Sequence, residues 1–255
     1  MIKVVLLGAG NVAFHLAKAF LHAKDIQIIQ VYNRSEDAFK FFPDTINITT
    51  SLSEILDADC YIISISDDSI AGFSETLPFS GKLVVHTSGS VAMNPLNSKN
   101  RKGVFYPLQT FSKNTEVNFA ETPVFIEAEN ETDLQLLQKI GRSISEKCYN
   151  ITSEQREKLH LAAVFVCNFV NHLYHIGYEL TTKNDIPFDL LKPLIKETAR
   201  KLDDGIPSAM QTGPAKRNDK KTMAKQLEIL HLQEHKEIYS LLSNAITNQY
   251  GRKKL

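Results

Sequence analysis

The sequence predicts an α/β fold, a doubly wound parallel sheet, followed by an all-α region. Three observations carry this. Apolar runs of strand length alternate with helical periodicity through residues 1–150. The first apolar run stops at Gly8-Ala9-Gly10 and passes directly into a periodic stretch. Near Ile151 the alternation ends, and almost everything afterwards has helical spacing. Repeated βα units bury parallel strands on both faces and join them by right-handed crossovers. The domain boundary is placed there, giving 1–150 and 151–255.

The elements follow in order. Ile2–Leu7 is continuously apolar, as a strand covered on both faces requires. Val12, Leu16, Ala19 and Phe20 put a stripe on a helix over 11–22. Ile26–Tyr32 reads as the second strand. Ser35 caps a helix that runs through Phe41 and stops before Pro43. A short strand at 46–49 and a short helix at 51–56 come next, then a strand at 60–65, a helix at 67–76 and a strand at 83–85. Strands at 104–106 and 124–126 precede a helix over 132–145. Ser153, with Glu154 and Glu157 near the positive end of the dipole, opens a helix over 153–182. Its middle, Leu161 to Val170, is apolar nearly all round, which predicts a central buried helix. Helices at 188–202, 219–230 and 232–248 are separated by turn signals, among them Gly213-Pro214.

Composition narrows the function. With 255 residues, 43% hydrophobic and 23% charged, the chain is neither disordered nor collagenous. Lys+Arg and Asp+Glu are both 29, so the chain lacks the positive field of a nucleic-acid binder. Residues 151–255 hold 16 basic and 12 acidic side chains, which fits an anionic ligand or partner. Cys60, Cys148 and Cys167 are odd in number, widely spaced and without CxxC, so no zinc site or disulfide framework is expected. A reducing cytoplasm is the expected compartment. Ile2–Leu7 is too short for a signal-peptide core, and no apolar stretch approaches a membrane span.

Gly8-Ala9-Gly10-Asn11-Val12-Ala13 is G-x-G-x-x-A, placed where a strand ends and a helix begins. Gly8 permits a tight turn, Gly10 lets the backbone approach a diphosphate, and Ala13 keeps the helix close to the strand. The free N–H groups and positive dipole end then face the phosphates. Gly8, Ala9, Gly10, Asn11 and Val12 are therefore candidate cofactor contacts in a Rossmann domain. The second strand ends at Asn33-Arg34-Ser35, and these three residues are further candidate cofactor contacts. An NAD enzyme places an acid here for the ribose 2′-OH; this chain offers a guanidinium suited to a 2′-phosphate, so NADP is the expected cofactor. A methyltransferase using S-adenosylmethionine would carry an acid at that place.

Ligands of such sheets bind beyond the carboxyl ends of the strands. Ser64 and Ser66 lie there as candidate cofactor contacts, although Ser66 or Asp67 also suits a helix cap. His86 and Ser88 follow the next strand; His86 is either a proton-handling group or a hydrogen-bonded structural ring. The segment Tyr106-Pro107-Leu108-Gln109-Thr110 either lines the cleft or packs. On the long helix His160 and Asn168 are candidates for orienting a substrate, with a partner helix as the alternative. No carboxylate pair accompanies the histidines, so no metal is expected. The loop from Gln211 to Asp219 reads as a solvated turn or an anion-binding or subunit-contact loop.

The Gly8–Ala13 fingerprint, Asn33-Arg34-Ser35, His86-Thr87-Ser88-Gly89, Phe105 to Phe111, His160-Leu161-Ala162-Ala163 with Asn168, and Thr212-Gly213-Pro214 with Arg217 and Asp219 together resemble one family. It is the NADP oxidoreductases with a Rossmann-like domain followed by a helical domain of unknown function. The layout is similar, more distantly, to pyrroline-5-carboxylate reductase, F420-dependent NADP reductase and the prephenate and 6-phosphogluconate dehydrogenases. The resemblance implies a helical domain like the C-terminal part of 6-phosphogluconate dehydrogenase, a homodimer built through it, and a small-molecule substrate. Tyr106 stands where the family often has His, and the catalytic lysine of the hydroxyacid dehydrogenases has no counterpart at the matching spacing. The expected activity is hydride transfer to or from a small C=O, C=N or C–OH group; the alternative is a non-enzymatic NADP(H) sensor or scaffold.

Overall fold

In the computed structural model, which describes residues 1–251, the chain divides into two compact units. One is Met1–Asn168 and the other begins at Phe169. The first holds an eight-stranded sheet, which in chain order comprises β1 (Ile2–Leu7), β2 (Ile26–Tyr32), β3 (Ile48–Thr49), β4 (Cys60–Ile63), β5 (Leu83–His86), β6 (Arg101–Pro107), β7 (Val124–Ala128) and β8 (Cys148–Asn150). Their spatial order is β3-β2-β1-β4-β5-β6-β7-β8. The strands from β1 to β6 pair in parallel. The chain builds outward from β1 to β3, then returns to the other side of β1 with β4, and that reversal is the switch point.

Alternation along β1 feeds two cores. Val4 and Leu6 pack with Ala13, Leu16, Ala17 and Phe20 of α1 (Asn11–Leu21). Val5 and Leu7 join Tyr61, Ile63 and Ile70, the last from α2 (Ile70–Thr76). The three- and four-residue spacing on α1 and the two-residue spacing on β1 are what bring these sets together.

The short helices expected at 35–41 and 51–56 are 3₁₀ turns, Glu36–Phe41 and Leu52–Glu54, and the one at 67–76 opens with a 3₁₀ turn before α2. Segments this short do not repay α-helix nucleation without a packed face. β7 runs antiparallel to β6, since the chain between them contains only a 3₁₀ turn at Phe119–Glu121 and no crossover helix. After β7, α3 (Glu131–Arg142) crosses to β8, which lies parallel to β7 and was not anticipated, because Cys148–Asn150 carries no apolar run.

The stretch over 153–182 is helical but not uniform. It comprises α4 (Ser153–Ala163), a π-helical turn at Val164–Phe169 and α5 (Val170–Thr182). Thr152, one residue before the Ser153 expected to open it, caps the start of α4 in a reciprocal capping box with Gln155. Burial here departs from expectation. Leu161, Phe165 and Val166 are 58%, 60% and 73% exposed. α4 meets the sheet through its polar stripe instead: Ser153 Oγ donates to Glu127 Oε2 at 2.7 Å, and Arg156 Nη1 lies 2.5 Å from the same oxygen. By length and composition the 153–182 helix reaches the lower bound for a membrane crossing, with a mean hydropathy of 1.2 over 18 residues. Asn168, Asn171, His172 and His175 interrupt it.

The second unit continues with α6 (Lys192–Arg200), α7 (Pro207–Met210), α8 (Lys220–Ile229) and α9 (Gln233–Tyr250). Pro193 sits in the first turn of α6, where its missing N–H costs nothing. Asp219 caps α8 by accepting from Thr222 N at 3.1 Å, and Tyr239 Oη donates to Gln226 Oε1 at 2.6 Å, joining α9 to α8.

Arg156 is 1% exposed, its Nε has no partner among the described residues, and its ion pair with Glu127 supplies the neutralising charge. Glu127→Ala should lower the unfolding free energy by about 3 kcal/mol, the cost of leaving a buried charge unpaired. Urea denaturation reads this, and a loss below about 1 kcal/mol would show that the other contacts hold the guanidinium.

Candidate functional site

A cleft of about 670 Å³ opens at the switch point. Its floor is the turn from β1 into α1. Gly8 has φ +120°, and a Cβ built on it would lie 2.3 Å from the Ser64 carbonyl oxygen. Only glycine fits there. Gly8 N–H donates to Tyr32 O at 2.7 Å and Ser64 N–H to Leu7 O at 2.8 Å, which fixes the turn between β2 and β4. Gly10 occupies the N-cap of α1 without a side-chain cap. Among the described residues no acceptor takes the N–H groups of Asn11 and Val12, so these donors of the first turn face the cleft. Gly8, Ala9, Gly10, Asn11 and Val12 all line it. The Asn11 side chain itself is tied elsewhere, donating from Nδ2 to Phe111 O at 2.9 Å.

The rim comes from β2 and β4. Arg34 and Asn33 line the cleft as expected; Ser35 does not, since it begins the 3₁₀ turn Glu36–Phe41 that leads away from it. Asn33 Nδ2 donates to Ser35 O at 2.9 Å, which stiffens the turn beneath the exposed Arg34. Tyr32 and Phe73 stack with centroids 5.7 Å apart and form an aromatic wall. Ser64 and Ser66 line the cleft as expected, joined by Ser69 and Thr87, and the Oγ atoms of Ser66 and Ser69 lie 3.0 Å apart. Arg34 is the sole charged side chain among the described lining residues, and no carboxylate faces the space. Such a surface suits a polyanion.

His86 and Ser88 hold a loop. His86 is fully enclosed; its Nε2 donates to Ala92 O at 3.1 Å and its Nδ1 accepts from Ser88 N at 3.2 Å. Ser88 Oγ accepts from the N–H groups of Ser90 and Val91 at 3.1 and 3.0 Å. Arg156 Nη2 donates to Val91 O at 2.5 Å, and Ser90 Oγ to Asp67 Oδ2 at 2.5 Å. With both nitrogens engaged by backbone, the ring takes the structural alternative of the two readings given for it. Burial pushes His86 down to about 4.

His160 is placed differently. It is half-buried, and its Nδ1 lies 2.9 Å from Tyr106 Oη. Gly89 lies beneath the pair: a Cβ there would be 2.4 Å from His160 Nδ1 and 2.8 Å from Tyr106 Cζ. Asn168 is exposed on the π-helical turn. Sequence reasoning left Tyr106 between lining and packing and did not pair it with His160. The available signal was period-two spacing, which sets Tyr106 on the same face of β6 as Val104, the register partner of His86. Among the described residues no three His, Cys, Asp or Glu side chains converge as a metal site.

The family model described as "NADP oxidoreductase coenzyme F420-dependent" matches residues 3–89, and "Domain of unknown function (DUF2520)" matches residues 122–246. Among solved structures, the "putative NADP oxidoreductase" BF3122 from Bacteroides fragilis is 42% identical, covering 97% of this chain and 98% of that chain, with a TM-score of 0.90. Protein TM1727 from Thermotoga maritima is 19% identical over 98% of this chain and 100% of that chain, with a TM-score of 0.71. Pyrroline carboxylate reductase from Plasmodium falciparum, solved with NADP bound, is 16% identical over 97% of this chain and 100% of that chain, with a TM-score of 0.60. These last two are likenesses of fold. No curated protein matches the chain significantly.

The placement of His86 sets a pH response. An unfolded histidine takes up a proton near pH 6.5, whereas the buried ring resists until about 4. Between those values the unfolded state binds more protons, so stability falls as pH falls through that window. The loss from this one group approaches about 3 kcal/mol by the low end. His86→Asn should flatten that part of the pH–stability curve measured by urea unfolding; equal slopes would show that His86 is not the responsible group.

Proposed function

The chain belongs to the family of NADP oxidoreductases in which a nucleotide-binding domain precedes the helical domain of unknown function, and we propose that it transfers a hydride between NADP(H) and a small molecule bearing a C=O, C=N or C–OH group. The observation that carries this reading is the charge of the cleft: one guanidinium on its rim, unpaired first-turn N–H groups at its floor and no facing carboxylate.

NADP is the cofactor of this family, and the residues present fit it. Gly8 lets the turn pass against the Ser64 carbonyl, and a Cβ at Gly10 would meet only that carbonyl oxygen, at 3.9 Å, so the floor at Gly10 leaves open space for a diphosphate. Asn11 and Val12 offer backbone donors to it. Arg34 offers a fork for a 2′-phosphate, with Asn33 bracing the turn. Ser64 and Ser66 add hydroxyl groups along the β4 side. When bound, the nicotinamide supplies or accepts the hydride. The protein binds, orients and excludes water. His160 and Asn168 are assigned to hydrogen bonds with the substrate, and His86 with Ser88 to holding the loop that carries Gly89 beneath His160. π-Helical turns recur at functional sites, which supports placing Asn168 there.

A homodimer built through the helical part is the assembly we propose. Leu161, Phe165 and Val166 are exposed on the helix that leaves the first unit, and Leu190, Leu194 and Leu241 are exposed in the second. Scattered apolar exposure is ordinary; repeated large apolar side chains on successive turns mark an interface. Cys60, Cys148 and Cys167 are free thiols, which supports a reducing cytoplasm.

Calorimetry with NADP⁺, NADPH and NAD⁺ tests the cofactor site. Arg34→Ala should weaken NADP⁺ by about 1.5–3 kcal/mol, the worth of a charge-assisted bond, and leave NAD⁺ nearly unchanged. No heat with either form of NADP at low salt, or equal weakening of both nucleotides, overturns the reading. For the assembly, sedimentation of wild-type protein should give a dimer, and Val166→Asp should shift it to the monomer of 28.7 kDa; a monomeric wild type refutes the dimer.

A further inference from the structure

His86 ends β5 and His160 lies on α4; neither is among the described residues that line the cleft, and their hydrogen bonds differ. His86 spends both ring nitrogens on backbone groups. Among the described residues His160 has one hydrogen-bond partner on its ring, Tyr106. Tyr106 projects from β6 with 8% exposure, and burial pushes its phenol up to about 12. The phenol therefore keeps its hydrogen across neutral pH. A buried hydroxyl hydrogen is rarely left without an acceptor. Among the described residues the acceptor in reach is His160 Nδ1, at 2.9 Å. If Nδ1 carried the ring hydrogen instead, the phenol would be left with none. The neutral ring then carries its hydrogen on Nε2. Gly89 makes the pairing feasible, since any Cβ at that position would occupy the place of the imidazole.

We propose that Tyr106 is a positioning residue that locks His160 in the Nε2–H form, so that the half-buried ring presents an N–H donor to the oxygen or nitrogen of the substrate's polar double bond. This rests on the oxidoreductase reading and names the group that meets the substrate. A neutral imidazole donor polarises a carbonyl or imine through a fixed dipole in a partly dry setting. No proton changes owner in this step; the hydrogen stays on Nε2 and is shared. Tyr106 acts only through His160, as a hydrogen-bonded partner fixes the tautomer of a catalytic or metal-bound ring elsewhere. The aromatic row that continues from Tyr106 to Phe125 and Tyr149, with centroids 6.4 and 5.7 Å apart, braces the phenol on its other side.

Long-range ¹H–¹⁵N NMR of the full chain without nucleotide, at about pH 8.5 where an ordinary imidazole is neutral, reads the tautomer directly. The signals of His160 are assigned by their loss in His160→Gln. The expected result is a protonated Nε2 and a bare Nδ1 in the wild type, with the Nδ1 resonance moving in Tyr106→Phe, which keeps the ring's bulk. A hydrogen on Nδ1 in the wild type, or unchanged ¹⁵N shifts in Tyr106→Phe, overturns the proposal. A kinetic arm uses NADPH with 1-pyrroline and cyclohexanone as probes. Tyr106→Phe should lower kcat about 10-fold and leave the NADPH dissociation constant unchanged. His160→Ala should lower kcat about 100-fold, as removal of a preorganised hydrogen-bond donor does, with partial rescue in His160→Gln. Equal kcat in wild type and Tyr106→Phe also overturns the proposal. If the wild type turns over neither probe, the tautomer measurement decides alone; failure of the wild type to bind NADPH overturns the parent reading instead.

Discussion

At the switch point, the backbone of Gly8 passes so close to the Ser64 carbonyl that no side chain fits between them. This approach lets the chain leave β1, turn sharply and enter α1 with its first N–H groups uncovered. The same turn is pinned on both sides, to Tyr32 at the end of β2 and through Leu7 to Ser64 at the end of β4. The ends of three strands are thereby gathered around one helix terminus. Arg34, Tyr32 and the hydroxyls of Ser64 and Ser66 line the cleft because the strands they follow or end are drawn to this point, and α2 adds Phe73 to the wall.

What the sequence made legible is what short-range rules govern. The strand–glycine–helix junction is contiguous, and the guanidinium stands at a fixed offset from it, so both followed from spacing. The direction of β7 did not, because it depends on whether a helix crosses the sheet between Pro107 and Val124, and that segment has no periodicity either way. β8 has no signature in the sequence, because a three-residue strand with Tyr149 and Asn150 exposed carries no pattern. The contact of His160 with Tyr106 joins residues 54 apart in the chain, and no local signal encodes it. His86 was read as either reactive or structural, and only the course of the loop from Ser88 to Ala92 decides, by presenting a carbonyl to one nitrogen and an N–H to the other.

Helix α4 shows how composition misleads about direction. Its apolar residues suggested a core helix, yet Ser153, Arg156 and His160 form the stripe that meets the sheet and its loops. A buried arginine is indistinguishable in sequence from a solvated one, so the inward face is identified only once Glu127 and Val91 are seen beside it. The large apolar side chains are consequently turned away from the sheet, which makes the helix polar toward its own fold and apolar outward.

The two margins of the sheet are its shortest members: β3 has two residues and β8 three. A strand that brief offers another chain hardly any ladder to extend, which is how natural sheets resist fibrous aggregation. Backbone zippering at the rim is thereby discouraged, and eight strands' worth of hydrogen-bonding capacity is kept within one molecule. The protection lies in strand length and is independent of any chemistry in the cleft.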